Sequence, residues 1–176
     1  MSLRSGGLLD GVRVVDLSRV LAGPFGAWIL AEAGAEVVKV EPPEGDPARA
    51  IGPSIGGRSL YFSSLNSGKR GVCLDLTTPA DSQVLESLLA DADVVVENFR
   101  PQAARKLGVE PDALLARHPR LVVVSVVGYS RSTDRGDRAS FDLAIQAETG
   151  LMAVTGEPGR EPVRAGVPLA DLAAGM

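Results

Sequence analysis

The chain has 176 residues, with 18 Lys and Arg against 22 Asp and Glu, for a formal net charge of −4. That balance argues against a general nucleic-acid binder, although a local basic cluster is still able to hold a small anion. One Cys and one His exclude a disulfide framework and any zinc site built from several thiolates or imidazoles, so metal ligation is not expected and chemistry must come from carboxylates, hydroxyls, basic side chains or the backbone. Gly 20 and Pro 12 make the chain turn-rich, yet below the roughly 25–30% that marks low-complexity sequences. The longest apolar runs, such as 121–127, fall far short of the roughly 20 residues a membrane helix needs. The opening MSLRSGGLLDG lacks the apolar core of a signal peptide, and with the single Cys73 it predicts a cytoplasmic protein with no membrane partner.

In chain order, 12–17 reads as a β-branched strand and 24–33 as a helix after the breaker Gly23-Pro24, with Gly34 as its stop. The run 36–41 is a second strand, so a right-handed βαβ unit is the default topology. Residues 42–70 carry Pro-Pro, Gly-Asp-Pro, Gly-Gly and Ser-Gly-Lys-Arg and predict a long loop with at most short helical pieces, of a length that is usually functional. A strand over 71–76, a helix from Pro79 to about Ala92 capped by Thr78, and a strand over 93–99 follow. Short helices near 102–107 and 111–117 lead to a strand over 121–127. The runs 94–96 and 121–127 are nearly all Val, as expected of parallel strands covered on both faces. The polar stretch 130–139 reads as mobile, Ser140 as the cap of a helix from about Phe141 to Met152, and 167–176 as helix-prone. There are no internal repeats. Five strands alternating with helices predict one α/β domain over 1–176, a Rossmann-like, doubly wound, mostly parallel sheet flanked by helices.

The first βα turn discriminates among ligands. A dinucleotide enzyme places G-x-G-x-x-G directly after the first strand. Here the chain reads Asp16-Leu17-Ser18-Arg19-Val20-Leu21-Ala22-Gly23-Pro24, without the triple glycine, which argues against a nicotinamide cofactor. Glu41 reads as a solvated strand-end carboxylate rather than a ribose ligand.

That same segment, with Leu30-Ala-Glu-Ala-Gly-Ala-Glu-Val-Val-Lys-Val-Glu41, Gly45-Asp46, Asn66-Ser-Gly-Lys-Arg70, Leu74-Asp-Leu76, Asp93-Val-Val-Val-Glu-Asn-Phe-Arg-Pro101 and Gly128-Tyr129, resembles the successive motifs of the family III CoA-transferases. The resemblance runs from Leu9 to Met176 and implies the amino-terminal part of the large domain of that fold. It implies CoA transfer from an acyl-CoA to a carboxylic acid, through an acyl-aspartyl anhydride and an aspartyl-CoA thioester. No tightly bound cofactor is implied, since CoA is a substrate. The aspartate implied is Asp171, and a carboxylate suits the role because it is a nucleophile without prior deprotonation at neutral pH. The resemblance further implies that Val20, Leu21 and Ala22 line the CoA cleft, that Asn98 and Phe99 approach the pantetheine or nucleotide, and that Lys106 reaches phosphate.

Charge alone marks Lys69-Arg70, Arg100 and Arg105-Lys106 as clusters at strand ends or adjoining loops, where ligands sit in open α/β sheets. Pro42 and Val127 depart from basic residues present in some relatives. Tyr129 follows a strand end and is a candidate to face the site. His118 reads as a surface residue at a helix carboxyl terminus, Cys73 as a small core residue, and Phe25 and Trp28 as packing. Related racemases carry His where Phe141 stands, which favours transfer over racemisation, the alternative within the family. Relatives run to about twice this length and interlock as homodimers, so a non-catalytic or truncated CoA-binding module is the remaining alternative.

Overall fold

The computed structural model describes residues 6–176, so the first five residues of the predicted domain lie outside the described residues. Strands β1 (Arg13–Asp16), β2 (Glu36–Glu41), β5 (Arg70–Cys73), β6 (Val94–Glu97) and β7 (Val122–Ser125) form one all-parallel sheet in the order β5-β2-β1-β6-β7. Chain order thus runs outward from β1 to one edge and then, from β6, to the other. That reversal is the doubly wound pattern, and it opens a crevice beyond the carboxyl ends of β1 and β6.

Side-chain alternation along the central strands assigns the two faces. Val15, Val40 and Val95 pack with Leu85 and Leu89 of α3 (Pro79–Ala90), Ala104 of α4 (Pro101–Leu107) and Leu114 of α5 (Pro111–Arg117). On the opposite face Val14, Val37 and Val96 meet Ala27 of α1 (Ala22–Glu32). The cap on α3 is as expected, with Thr78 Oγ1 accepting from the Asp81 amide. Phe25 stacks on Trp28, whose indole donates to Ser67 Oγ at 3.0 Å.

Several expectations are corrected. The 42–70 stretch contains a 3-10 turn over Pro47–Ala50, a two-residue hairpin of β3 (Ser54–Ile55) and β4 (Arg58–Ser59), and helix α2 (Leu60–Asn66), whose first turn is capped by Ser59 accepting from the Phe62 amide. Cys73 is exposed rather than in the core, because β5 is an edge strand. Strand β7 is likewise an edge, and Val122 and Val124 point to an uncovered face, so its Val run does not mean burial on both sides. Helix α6 (Asp142–Glu148) starts after Phe141 with no side-chain cap from Ser140 and ends four residues before Met152. The polar stretch before it is a series of turns anchored to the sheet by Arg131, whose guanidinium meets the buried Glu97 carboxylate at 2.6 Å. Helix α7 (Leu169–Gly175) closes the chain and lies against α1.

Candidate active site

The crevice at the sheet reversal is built by two loops that hold each other. Asn98, just past β6, accepts from the Arg19 amide at 2.9 Å and donates its own amide to the Arg19 carbonyl at 2.8 Å. The next residue, Val20, has φ of 70°, a conformation that a β-branched side chain adopts only when its surroundings impose it. The constraint is the Asp46 carboxylate, which accepts the Val20 amide at 3.1 Å. Asp46 is in turn held by Lys39 at 3.0 Å, and Lys39 Nζ also donates to the Ser18 carbonyl at 2.8 Å. Lys69 completes this buried network, donating to Asp16 at 2.8 Å, to the Pro24 carbonyl and to Asn66. Burial pushes the Lys69 ammonium below its ordinary value, against the pull of Asp16. Two lysines and two aspartates removed from water are tolerable only because they pair with one another and with backbone groups.

The far wall is α7 with the turn after β7. A cleft of about 420 Å³ is lined on one side by Val20, Leu21, Ala22, Asn98 and Phe99 and on the other by Gly128, Tyr129, Phe141, Ala170 and Asp171. Close approach of α1 and α7 depends on glycines that face each other. A Cβ on Gly26 would stand 2.8 Å from the Gly175 carbonyl oxygen, and one on Gly175 would stand 2.5 Å from that of Ala22. The half-buried Asp171 carboxyl is pushed above the ordinary carboxylate range, first by burial and then by the negative charge of Asp142. Tyr61, on α2, is also pushed up, by burial and then by the negative charges of Asp171 and Asp46.

Three arginines line this cleft: Arg19, its guanidinium 5.4 Å over the Phe99 ring, Arg100, and Arg138, its guanidinium 5.4 Å over the Tyr129 ring. A second cleft of about 420 Å³ shares Arg19 and Phe99 with the first and runs over the carboxyl ends of β1, β2 and β5, past Leu17, Val40 and Leu74. Together the two make one trough across the sheet reversal, with Asp171 in its inner half.

Of the residues singled out in the sequence, Val20, Leu21, Ala22, Asn98, Phe99, Tyr129 and Asp171 meet in this trough. Lys69 does not reach it, because its ammonium is consumed by Asp16 and its side chain is 1% exposed. Arg70 begins β5, away from the carboxyl ends, and pairs with Glu36 at the start of β2 at 3.7 Å. Lys106 is exposed on α4 and lines neither cleft. His118 ends α5 as expected, but it is mostly buried, with Nε2 2.9 Å from Glu86. Among the described residues no group of three or more His, Cys, Asp or Glu is placed to hold a metal ion, and no helix is long and apolar enough to cross a membrane. Sequence reasoning missed Arg138, whose neighbours in sequence are equally polar, and Asp46, whose motif was visible but whose amide partner lies 26 residues away.

The sequence profile of CoA-transferase family III matches residues 9–176. The chain belongs to that family. It is 40% identical to the succinate–glutarate CoA-transferase of Agrobacterium fabrum, over 96% of this chain and 44% of that protein. It is also 40% identical to the acetyl-CoA:oxalate CoA-transferase of Acetobacter aceti, over 97% and 44% respectively. The crystal structure of a CaiB/BaiF family protein from Brucella suis superposes with a TM-score of 0.90 at 40% identity, covering 96% of this chain and 46% of that one. The chain therefore spans a little under half the length of the family III CoA-transferases it matches.

Proposed function

We propose that the protein transfers CoA from an acyl-CoA to a carboxylic acid, with Asp171 as the nucleophile. The observation that carries this reading is the placement of a half-buried carboxyl inside an arginine-lined trough at the sheet reversal of a family III CoA-transferase fold. An Asp171 oxygen attacks the thioester carbonyl, the C–S bond breaks, and CoA leaves as its thiolate, giving a mixed anhydride. The thiolate attacks the aspartyl carbonyl and releases the donor acid as carboxylate. The acceptor carboxylate then attacks the aspartyl-CoA thioester, and the returning thiolate takes the new acyl group and frees Asp171. Each covalent step splits a difficult exchange into easier ones without a proton transfer.

The trough suits CoA. Its inner half offers apolar side chains from Val20, Leu21 and Phe99 for the pantetheine arm, with Arg100 on its wall and Arg19 at the junction of the two clefts for phosphate. The outer cleft then receives the nucleotide end, at the position where open α/β sheets bind ligands. Racemisation is less well served: Phe141 stands at the lip of the cleft, and His118 is engaged with Glu86 at the end of α5. The same reading takes the whole protein as a cytoplasmic homodimer, in keeping with its family resemblance.

The test is incubation of the purified protein with an acyl-CoA and hydroxylamine, followed by peptide mass spectrometry. A hydroxamate at Asp171 is expected, and its loss in Asp171→Asn. A folded, CoA-binding preparation with no label at Asp171 overturns the covalent mechanism.

A further inference from the structure

Helix α7 begins at Pro168–Leu169, and Pro168 has no side-chain group with which to cap it. Its first amides are nevertheless satisfied. The Asp142 carboxylate, in the first turn of α6, accepts the Ala170 amide at 2.8 Å and the Asp171 amide at 3.2 Å on the same oxygen. Its second oxygen accepts from the Gln146 side-chain amide at 2.5 Å, one helical turn on. Gln146 is 1% exposed, a costly place for an amide unless its atoms are used. They are used: its oxygen accepts the Ala165 amide at 2.8 Å, and its nitrogen lies 3.4 Å from the Val167 carbonyl. One pair of side chains four residues apart thus grips the chain at 165, 167, 170 and 171.

We propose that Asp142 and Gln146 are positioning residues for Asp171, a latch on α6 that fixes the segment entering α7 and so aims the Asp171 carboxyl into the trough. The proposal rests on the reading of Asp171 as nucleophile. The backbone of Asp171 is itself one of the gripped groups, so release of the latch moves the reacting atoms directly. A nucleophile displaced by about 1 Å loses on the order of a hundredfold in rate.

The latch also has an electrostatic face. Asp142 is the negative group beside Asp171, and it adds to burial in holding the Asp171 carboxyl above its ordinary value. The other charged or titratable groups around Asp171 are Tyr61 on α2 and Arg19, Arg100 and Arg138 on the trough walls; α1, packed on α7, carries only Glu32 at its last residue. Asparagine at 142 removes the charge and keeps an oxygen for the two α7 amides but gives up the bond from Gln146, whereas leucine at 146 releases the grip and leaves the charge, so the two substitutions together separate geometry from charge.

The experiment is single-turnover hydroxylamine trapping at Asp171 as a function of pH, beside CoA affinity by thermal shift, for the wild type, Asp142→Ala, Asp142→Asn and Gln146→Leu. Asp142→Ala is expected to lower the trapping rate on the order of a hundredfold with CoA affinity kept within about twofold. Asp142→Asn, which keeps the bonds to α7 but not the one from Gln146, is expected to trap faster than Asp142→Ala and to move the acid limb of the pH profile downward. Gln146→Leu is expected to lower the rate without moving that limb, since the Asp142 charge remains. Trapping at the wild-type rate in both Asp142→Ala and Gln146→Leu overturns the latch while leaving the nucleophile intact. Parallel loss of CoA affinity and trapping overturns it in favour of a general structural role. Absence of label in the wild type defeats the nucleophile assignment and the latch with it. If Asp142→Ala does not fold, the trapping rate of Gln146→Leu at unchanged CoA affinity decides the question, and a wild-type rate there overturns the latch.

Discussion

Asp171, the proposed nucleophile, shows at the level of one residue how burial sets stability against ionisation. Its carboxyl is held above the ordinary range by burial and by Asp142, so the folded chain binds a proton more tightly there than the unfolded chain does. Stability from this group is therefore greatest below the ordinary carboxylate range and declines as pH rises through the raised value. Asp171→Asn removes the unfavourable charge, and we expect it to be more stable than the wild type at neutral pH, with the difference vanishing in acid. Urea denaturation at pH 7 and pH 3 checks this, and equal stability at pH 7 would show that the carboxylate is not strained by its site. With Asp171 as the proposed nucleophile, activity is expected to run the opposite way, since only the ionised form attacks, so the acid limb of trapping follows the same raised value.

Among the elements, the loops at the carboxyl ends of β1 and β6 are fixed by groups distant in sequence, and this explains what the sequence revealed. Strand β2 and helices α3, α4 and α5 were legible to within a residue or two, because their caps, prolines and β-branched runs are local signals. The short hairpin was not, and α2 was foreseen only as one of the short helical pieces allowed within 42–70, since seven residues rich in Ser and aromatics carry no helical period that would place it. Lys69 read as a phosphate ligand because nothing local reveals a partner 53 residues away. Its true role makes a prediction: Lys69→Met leaves Asp16 buried without its closest cation, and we expect a loss of about 3–5 kcal/mol in chemical denaturation. Asp171 was singled out through family motifs and lines the cleft, whereas Gly26 and Gly175, which decide how near α7 comes to α1, gave no signal. Gly26→Ala forces a methyl against the Gly175 carbonyl oxygen, and we expect overpacking to cost about 1–3 kcal/mol. Because α7 carries Asp171, trapping should fall further than stability does; a variant with normal trapping would mean that α7 tolerates displacement.

For the whole molecule, the decisive question is which polyanionic ligand the sheet reversal accepts. In a dinucleotide enzyme the amides after the first strand are left free to meet a pyrophosphate. Here the Arg19 amide is given to Asn98 and the Val20 amide to Asp46, so that backbone cradle is already filled by the protein's own side chains. On the proposed function phosphate recognition falls instead to arginines on a chain whose net charge is −4, which would make the attraction local and sensitive to salt. We expect CoA to raise the melting temperature, the stabilisation approaching about 2.7 kcal/mol at a hundred times its Kd, while NAD at the same concentration leaves it unchanged. Raising ionic strength from about 0.01 M to about 0.15 M shortens the screening length from about 30 Å to about 8 Å, and the CoA shift should shrink accordingly. Arg19→Ala and Arg100→Ala should reduce both the shift and its salt dependence, because each removes one of the charges being screened. An equal shift with NAD, or a CoA shift indifferent to salt and to both arginines, would place the ligand's phosphates somewhere other than this trough.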